Sequence, residues 1–485
     1  MDRETTEKLE RALAALAGQG KKVDVVEVVR HGDKLVLPHD MTISSALEVL
    51  KRKEKYDEEV VRISETIPVF PWDGALAMAK AIEQTYGVVL QEAQEGFFGK
   101  SPPSMFAVSV GVTETVQVPW GAFSLPGIEG IVSTGHTTDD GRVVFQCRAE
   151  IKRKHEGAIK RLFALTRLIV EKESIYCGKA ITLKFNKSDG QPLEIPVVQF
   201  LPEGKLSEAI FRRDVEHDIE VNVMTPIRHR EVVRATGEYL KRGILLAGRY
   251  GTGKTLLAAK ISREAVKNGW TFLYIPDVHE LPQALRFAQQ YQPCVVFAED
   301  IDRVAGLERN DEVNRLLNTL DGIDSKSSDV IVVLTTNYPE KINGAMMRPG
   351  RVDIAVQVLP PDAEAVIRLT RYYGNGLVKP NEDLSEVARL LDGQIAAVVA
   401  EVVKRSKLES IHRSGNAREI IAADLLSAAK AVKREQELLT GSKTEPQHPA
   451  EVVAGMIGRS FGEALVAATG NGNGQEKLLE VALRR

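Results

Sequence analysis

Residues 248–255 read Gly-Arg-Tyr-Gly-Thr-Gly-Lys-Thr and satisfy every fixed position of the pattern Gly-x-x-x-x-Gly-Lys-Ser/Thr. Glycines allow backbone N–H groups to turn toward an anion without an obstructing Cβ, so this pattern is typical of a loop that binds polyphosphate. We predict that Lys254 reaches the β- and γ-phosphates of a nucleotide and that the Thr255 hydroxyl ligates Mg²⁺. The other residues predicted to contact the nucleotide are Gly248, Gly251, Thr252, Gly253 and Leu256.

A second group of chemically capable residues follows the apolar run 294–298, which ends in Glu299-Asp300-Ile301-Asp302. The carboxyl end of a strand in an open parallel sheet is where ligands bind. One carboxylate of such a pair holds Mg²⁺ through its water shell, and the other orients the attacking water, because phosphoryl transfer depends mainly on positioning and charge stabilisation. The sequence therefore predicts hydrolysis of a nucleotide with Mg²⁺.

Buried strands and one helix must position these groups. The apolar run 243–247 predicts a strand before the glycine-rich loop, and residues 256–265 predict an amphipathic helix after it. Further strands are predicted at 271–275, 294–298 and 330–334, the last followed by Thr335-Thr336-Asn337. This alternation predicts an α/β fold with a parallel sheet flanked by helices.

With Asn337, Arg348 and Arg351 in place, the chain resembles the AAA ATPase family. The second region of homology in that family carries a sensor asparagine, which Asn337 matches, and two arginines, which Arg348 and Arg351 match. The resemblance implies an AAA+ core with a helical lid and a homo-oligomeric ring, a hexamer or heptamer. In such a ring these arginines reach the γ-phosphate that the neighbouring subunit binds.

The family's usual Asp-Glu order is reversed here. By position in the family, Glu299 takes the magnesium-side role and Asp300 the water-polarising role, and we hypothesise that the shorter aspartate slows hydrolysis. Residues 316–322 and 335–353 are most similar to the mitochondrial AAA translocases that insert the Rieske iron–sulfur protein into respiratory complex III. That likeness extends over roughly residues 201–375.

The interval 276–293 lacks the aromatic residue followed by glycine that threading AAA unfoldases use to grip a chain. Its two aromatic residues, Phe287 and Tyr291, stand at helical spacing and are predicted to pack in the core. We therefore expect a ring without the usual aromatic pore loop.

Four segments are predicted. Residues 1–200 are an α+β region of one or two units, expected to recruit a client, and 201–360 are the large ATPase subdomain. Residues 361–440 form the helical lid, and 441–485 are a linker and helical tail. In the first segment we predict helices at 4–17, 44–56 and 75–86, a hairpin over 22–38, a turn at 70–74, and strands at 105–112, 115–119, 130–134, 142–150, 180–185 and 193–200.

Composition limits the function classes. The 485 residues carry a formal net charge of −3, which does not suggest a nucleic-acid coat protein. Three cysteines without paired spacing suit a reducing compartment, and neither a signal peptide nor a membrane span is evident, so we expect a cytoplasmic protein. The basic run 151–155 is flanked by Glu150 and Glu156, which favours a solvated helix entry over phosphate contact.

These observations leave three hypotheses. The leading one is an ATP-hydrolysing ring that remodels or translocates a macromolecular client, most reasonably a protein, in a chaperone-like role. A nucleic-acid motor or loader is the second, and it would need a basic stripe along the ring. The third is a nucleotide-gated oligomeric scaffold with slow turnover.

Overall fold

The computed structural model describes residues 29–31, 34–36, 43–96, 99–139, 142–186, 195–201, 209–304, 328–342, 344, 346–348, 350–416 and 418–441. The predicted helix at 4–17, the segment 316–322 and the tail beyond 441 lie outside these residues.

The N-terminal part is an α+β unit. Its largest sheet has five strands in the order β3-β11-β10-β9-β4, and every pair in it is antiparallel. The long ladder between β10 and β11 and the two helices α2 and α3 form its centre, where the apolar face of α3 is buried as its helical spacing requires. The elements are β1 (Val29–His31), β2 (Lys34–Val36), α1 (Ile43–Asp57), β3 (Val60–Ile67), α2 (Pro71–Tyr86), β4 (Leu90–Glu92), β5 (Gln94–Gly96), β6 (Gly99–Ser101), β7 (Ser104–Ser109), β8 (Thr115–Trp120), β9 (Ala122–Ser124), β10 (Gly130–Asp139), β11 (Arg142–Lys152) and α3 (Glu156–Glu173).

Most of the strands and helices predicted for this part are present, but the predicted turn at 70–74 is wrong because its residues begin a helix. Within the predicted hairpin over 22–38, the described residues Val29–His31 and Lys34–Val36 pair antiparallel, with His31 opposite Lys34, and the rest of that prediction lies outside the described residues. The predicted turn at 70–74 is the first turn of α2, because Pro71 suits the first helical position, where its missing N–H costs nothing. Strand β3 was not predicted.

The second large sheet has seven strands, in the order β13-β12-β15-β16-β17-β14-β18. Strands β12, β15, β16, β17, β14 and β18 run parallel, and β13 joins the edge antiparallel to β12. The central strands are apolar along their whole length because helices cover both faces. The bounds are β12 (Ala180–Asn186), β13 (Ile195–Phe200), β14 (Arg242–Ala247), β15 (Thr271–Ile275), β16 (Cys294–Ala298), β17 (Val330–Thr336) and β18 (Ile354–Gln357).

Strands β12 and β13 were expected to close the N-terminal region at residue 200. Instead they extend the seven-stranded sheet, since Ala180–Thr182 of β12 pair in parallel with residues 272–274 of β15. A local pattern shows that a strand exists but not which sheet it joins, and this pairing spans about ninety residues of sequence.

Helices flank this sheet and form the lid. Those before and around the sheet are α4 (Arg213–Ile219), α5 (Thr225–Arg228), α6 (Arg230–Ala235), α7 (Lys254–Lys267) and α8 (Leu281–Gln290). The lid helices are α9 (Ala363–Gly374), α10 (Ser385–Leu391), α11 (Ala396–Ser414) and α12 (Ala422–Gly441), close to the predicted bounds, and they share an apolar core of their own.

The N-terminal unit and the seven-stranded sheet share one continuous apolar core, and α8 lies between them. The Phe70 N–H donates to the Tyr291 hydroxyl at 2.8 Å, and the Gln290 side chain donates to the Val143 carbonyl at 3.1 Å. Phe287 and Tyr291 are 4% and 2% exposed, so the prediction that they pack in the core is confirmed.

Candidate active site

The loop that follows β14 has a backbone that requires glycine. Gly251 and Gly253 have φ angles of 77° and 97°, in the left-handed region that side chains rarely adopt. A Cβ on Gly248 would lie 2.3 Å from the Val358 carbonyl oxygen. Helix α7 begins directly after this loop, at Lys254, so its N-terminal N–H groups face the space that the loop encloses.

Lys254 is the central cation of the site. Its ammonium group donates to the carbonyls of Gly248 and Arg249 at 2.6 and 3.0 Å and to Asn337 Oδ1 at 2.7 Å. Burial lowers the pKa of Lys254 to about 8, against the opposing effect of nearby carboxylates, first among them Asp300. The lysine joins the glycine-rich loop to the end of β17.

The two carboxylates after β16 have different partners. The Thr255 hydroxyl donates to Glu299 Oε1 at 2.7 Å, whereas Asn337 Nδ2 donates to Asp300 Oδ1 at 2.8 Å. Asp300 has a φ of 51°, and its N–H donates to Thr335 Oγ1 at 3.1 Å. The structure thus brings the predicted residues of 254–255, 299–300 and 337 together, while their catalytic roles stay predictions.

The donor set at Thr255 and Glu299 fits a magnesium ion. A hydroxyl and a carboxylate oxygen stand within hydrogen-bond distance of each other, and hard oxygen ligands are those that Mg²⁺ takes. These two residues would hold the ion, directly or through water. When bound, Mg²⁺ would neutralise charge on the phosphates.

The backbone of Arg351 lies at the other end of the sheet, and its N–H donates to the Arg348 carbonyl at 3.1 Å, so the backbones of both residues are at that end. The Arg351 carbonyl oxygen would be 1.8 Å from a Cβ on Gly243, and Gly243 N donates to the Asp353 carboxylate at 2.8 Å. Gly243 and Gly248 are separated by the length of β14, about 16 Å at a rise of about 3.3 Å per residue. The structure therefore does not place these arginines beside the phosphate loop of their own chain.

Sequence reasoning missed several residues that shape the site. Asp302 Oδ1 accepts from the Thr336 hydroxyl at 2.7 Å and from Asn337 N at 3.2 Å, which fixes the turn that presents Asn337. Arg303 donates to the second oxygen of Asp300 at 2.8 Å. The polar run Thr335-Thr336-Asn337 was a visible signal for the turn, but no pattern marked Arg303.

An aromatic pair also borders the site. The rings of Tyr250, in the glycine-rich loop, and Tyr338 meet edge to face at 5.9 Å between centroids, and the Lys341 ammonium lies 3.7 Å from the Tyr338 ring centre. Burial, the neighbouring Tyr338 and nearby carboxylates raise the pKa of Tyr250 to about 12. The loop and the turn after β17 are thereby packed against each other.

Comparison with known proteins assigns this arrangement to a class. Residues 244–359, which include the glycine-rich loop, the carboxylates and both arginines, match the family described as "ATPase family associated with various cellular activities (AAA)". This segment, with its parallel sheet flanked by helices, is therefore similar to the ATPase module of that family.

Particular relatives share this module. The chain is 28% identical over 269 residues to "Probable 26S proteasome regulatory subunit 10B" of Caenorhabditis elegans, covering 51% of this chain and 64% of that protein. It is 29% identical to "Proteasome-activating nucleotidase" of Methanococcus maripaludis, with 48% of this chain and 59% of the relative covered. It is also 29% identical to "ATP-dependent zinc metalloprotease FtsH" of Rhodococcus erythropolis, where the shares are 49% and 29%. The match therefore spans less than two thirds of each of these relatives.

Among the described residues, no helix combines the length and the apolar character that crossing a bilayer requires.

Proposed function

We propose that this chain is an ATP-hydrolysing subunit of a homo-oligomeric ring that remodels or translocates a macromolecular client, and that this client is a protein. One observation carries the enzymatic part. The hydrogen bonds from Thr255 to Glu299, from Lys254 to Asn337 and from Asn337 to Asp300 join the phosphate loop to both carboxylates in a single connected site.

Each group has a task in this proposal. The loop N–H groups and Lys254 bind the phosphates, and Thr255 and Glu299 hold the magnesium side. Asp300 orients the attacking water and accepts its proton, while Asn337 holds one oxygen of that carboxylate in place. The water would approach the other oxygen, Oδ2, which in this structure accepts a hydrogen bond from Arg303 at 2.8 Å.

The position of Arg348 and Arg351 supports the ring. The Arg351 backbone lies beside Gly243, about 16 Å from the phosphate loop along β14, which is compatible with arginines that serve a site on another subunit. A guanidinium supplied in this way stabilises transition-state charge and makes hydrolysis depend on subunit geometry. We therefore propose a hexamer or heptamer in which each protomer completes its neighbour's site.

A protein client is favoured by two considerations. The relatives include a proteasome regulatory subunit, a proteasome-activating nucleotidase and a zinc metalloprotease, names that belong to protein degradation. The shared apolar core would let the unit formed by β3–β11, α2 and α3 move together with the ATPase sheet. We propose that this unit recruits the client, and that the protein acts in the cytoplasm.

The interval 276–293 supports a proposal about the mode of action. Its aromatic residues are buried, and Asp277, His279, Arg286 and Gln292 are the residues exposed there. A polar surface at this place suits a folded client better than a gripped, extended chain. We therefore propose that the client is handled as a folded protein, as the resemblance to the Rieske-inserting translocases implies.

The basic run 151–155 gives little support to the nucleic-acid alternative, because its cations are paired within the chain. Lys152 and Lys154 are both paired with Glu58 and Glu129, and Arg153 is paired with Glu59. Cations neutralised within the chain contribute little to phosphate binding. The scaffold alternative keeps one supporting observation, the occupation of both Asp300 oxygens by protein donors.

Mixed rings test the proposal. Asp300→Asn and the double variant Arg348→Ala/Arg351→Ala should each abolish ATP turnover alone. Mixed one to one, they should regain activity at about a quarter of the interfaces, where an intact Asp300 meets intact arginines from the neighbour. Phosphate release measures turnover, and native mass spectrometry confirms that rings have mixed.

Three outcomes would contradict the proposal. No recovery in rings that have mixed would rule out arginines acting between subunits. A wild-type chain that binds ATP, assembles and shows negligible turnover would favour the scaffold. Turnover stimulated by DNA would favour the loader.

A further inference from the structure

Arg303 has a contact that the proposed mechanism does not use. It ends the short 3-10 turn Ile301–Arg303, and its guanidinium donates to Asp300 Oδ2 at 2.8 Å. Since Asn337 Nδ2 occupies Oδ1 at 2.8 Å, both oxygens of this carboxylate accept hydrogen bonds from protein groups. The oxygen that the water would use is the one that Arg303 holds.

The contact opposes the role assigned to Asp300, because Arg303 occupies the oxygen that the attacking water would approach. The contact also fixes the direction of the carboxylate, whose backbone is already held in an unusual conformation with φ of 51°. Arg303 thus restrains the orientation of the Asp300 carboxylate.

The hydrogen bond between Arg303 and Asp300 can break without disturbing buried groups. The Arg303 side chain is 63% exposed, whereas that of Asp300 is 24% exposed, so the guanidinium can exchange Asp300 for water. The neighbouring Asp302 does not compete for Arg303 through Oδ1, because that oxygen accepts from Thr336 and Asn337. Asp300 keeps its bond to Asn337 when Arg303 leaves.

We propose that Arg303 is a positioning residue that restrains Asp300 and keeps the basal rate of ATP hydrolysis low. The restraint is released when the guanidinium moves away from Oδ2. This inference concerns the regulation of the active site and rests on the proposed function.

The test compares Arg303→Ala with the wild type in the full chain. We expect kcat to rise about threefold to tenfold with KM for ATP changed by less than about twofold, since the variant alters the base and not the phosphate contacts. Arg303→Lys, which keeps the charge, should lie between the two. Arg62→Ala removes an arginine–carboxylate pair that is more exposed, with Glu150 at 2.9 Å, and should leave turnover unchanged.

Two further measurements separate this role from a structural one. In the background of Asp300→Asn, the Arg303→Ala change should bring no gain, because the arginine acts through that carboxylate. Added salt screens exposed ion pairs, so it should raise kcat of the wild type relative to that of Arg303→Ala at saturating ATP. Thermal melting checks that each variant is folded. If Arg303→Ala is unfolded, the kcat of Arg303→Lys is compared with that of the wild type instead.

The outcomes distinguish the two proposals. Unchanged or reduced kcat in folded Arg303→Ala, with ATP binding intact, overturns the restraint but leaves hydrolysis by the wild type standing. A gain that persists with Asp300→Asn overturns it as well. Absence of turnover from both the wild type and Arg303→Ala refutes the proposed function together with the inference.

Discussion

Raising the pH from 7 to 9 should weaken ATP binding, because the buried Lys254 loses its proton in this interval. Its pKa is lowered to about 8, so about nine tenths of the lysine is charged at pH 7 and about one tenth at pH 9. If the neutral amine contributes nothing to phosphate binding, the dissociation constant rises about tenfold, equivalent to about 1.4 kcal/mol. A lysine in solution would remain charged over the same range.

Calorimetric titration of the full chain with a slowly hydrolysed ATP analogue measures this effect. Binding near pH 8 should take up protons, because the bound phosphates favour the charged lysine, and titration in two buffers of different ionisation enthalpy reveals that uptake. Lys254→Arg provides the control, since an arginine stays charged at pH 9. An equal loss of affinity in this variant and the wild type would refute the assignment to Lys254.

Three other predictions concern the fold around the site. Burial raises the pKa of Asp73 from 3.8 to about 6, so protonated Asp73 stabilises the fold by about 3 kcal/mol below about pH 4, and this stability is lost as the pH rises through 6. The free energy of unfolding in urea should therefore depend less on pH in Asp73→Asn than in the wild type, and an equal pH dependence would contradict this. Gly251→Ala should weaken ATP binding, because its Cβ would lie 2.7 Å from Ile395 Cδ1 at a φ of 77°. Gly237→Ala, with a φ of 82° and no atom within 4 Å of its Cβ, should leave the affinity for ATP unchanged, and equal affinities of the two variants would contradict this. A chain beginning at residue 201 should aggregate in size-exclusion chromatography, because it loses β12 and β13 and uncovers α8; a monodisperse chain that binds ATP would contradict this.

Much of the ATPase sheet was predictable because its signals are local. Strands β15 and β16 have the predicted bounds, and β14 and β17 differ only at their ends, since long apolar runs leave little choice of structure. The first turn of α2 was mistaken for a loop because Pro71 and Gly74 read as turn residues in isolation. Strand β3, with its half-exposed alternation, carried a weaker apolar signal than the runs that were found.

The candidate site divides in the same way. The types and spacing of Lys254, Thr255, Glu299 and Asn337 were readable from motifs, because loop and strand chemistry depends on consecutive residues. Arg303 was not, since its importance comes from a hydrogen bond to Asp300 and not from a pattern. The pairing of the basic run with Glu58 and Glu129 likewise required the folded chain.

By itself, the sequence determined that the chain carries a glycine-rich phosphate loop followed by strands ending in carboxylates and an asparagine. Consecutive residues are sufficient for that, because backbone freedom, periodicity and charge are local properties. Only the tertiary structure decided that β12 and β13 belong to the ATPase sheet and that Arg351 lies at the far end of β14. Sheet order and the distance between loops depend on contacts between residues far apart in the chain, and no local pattern encodes them.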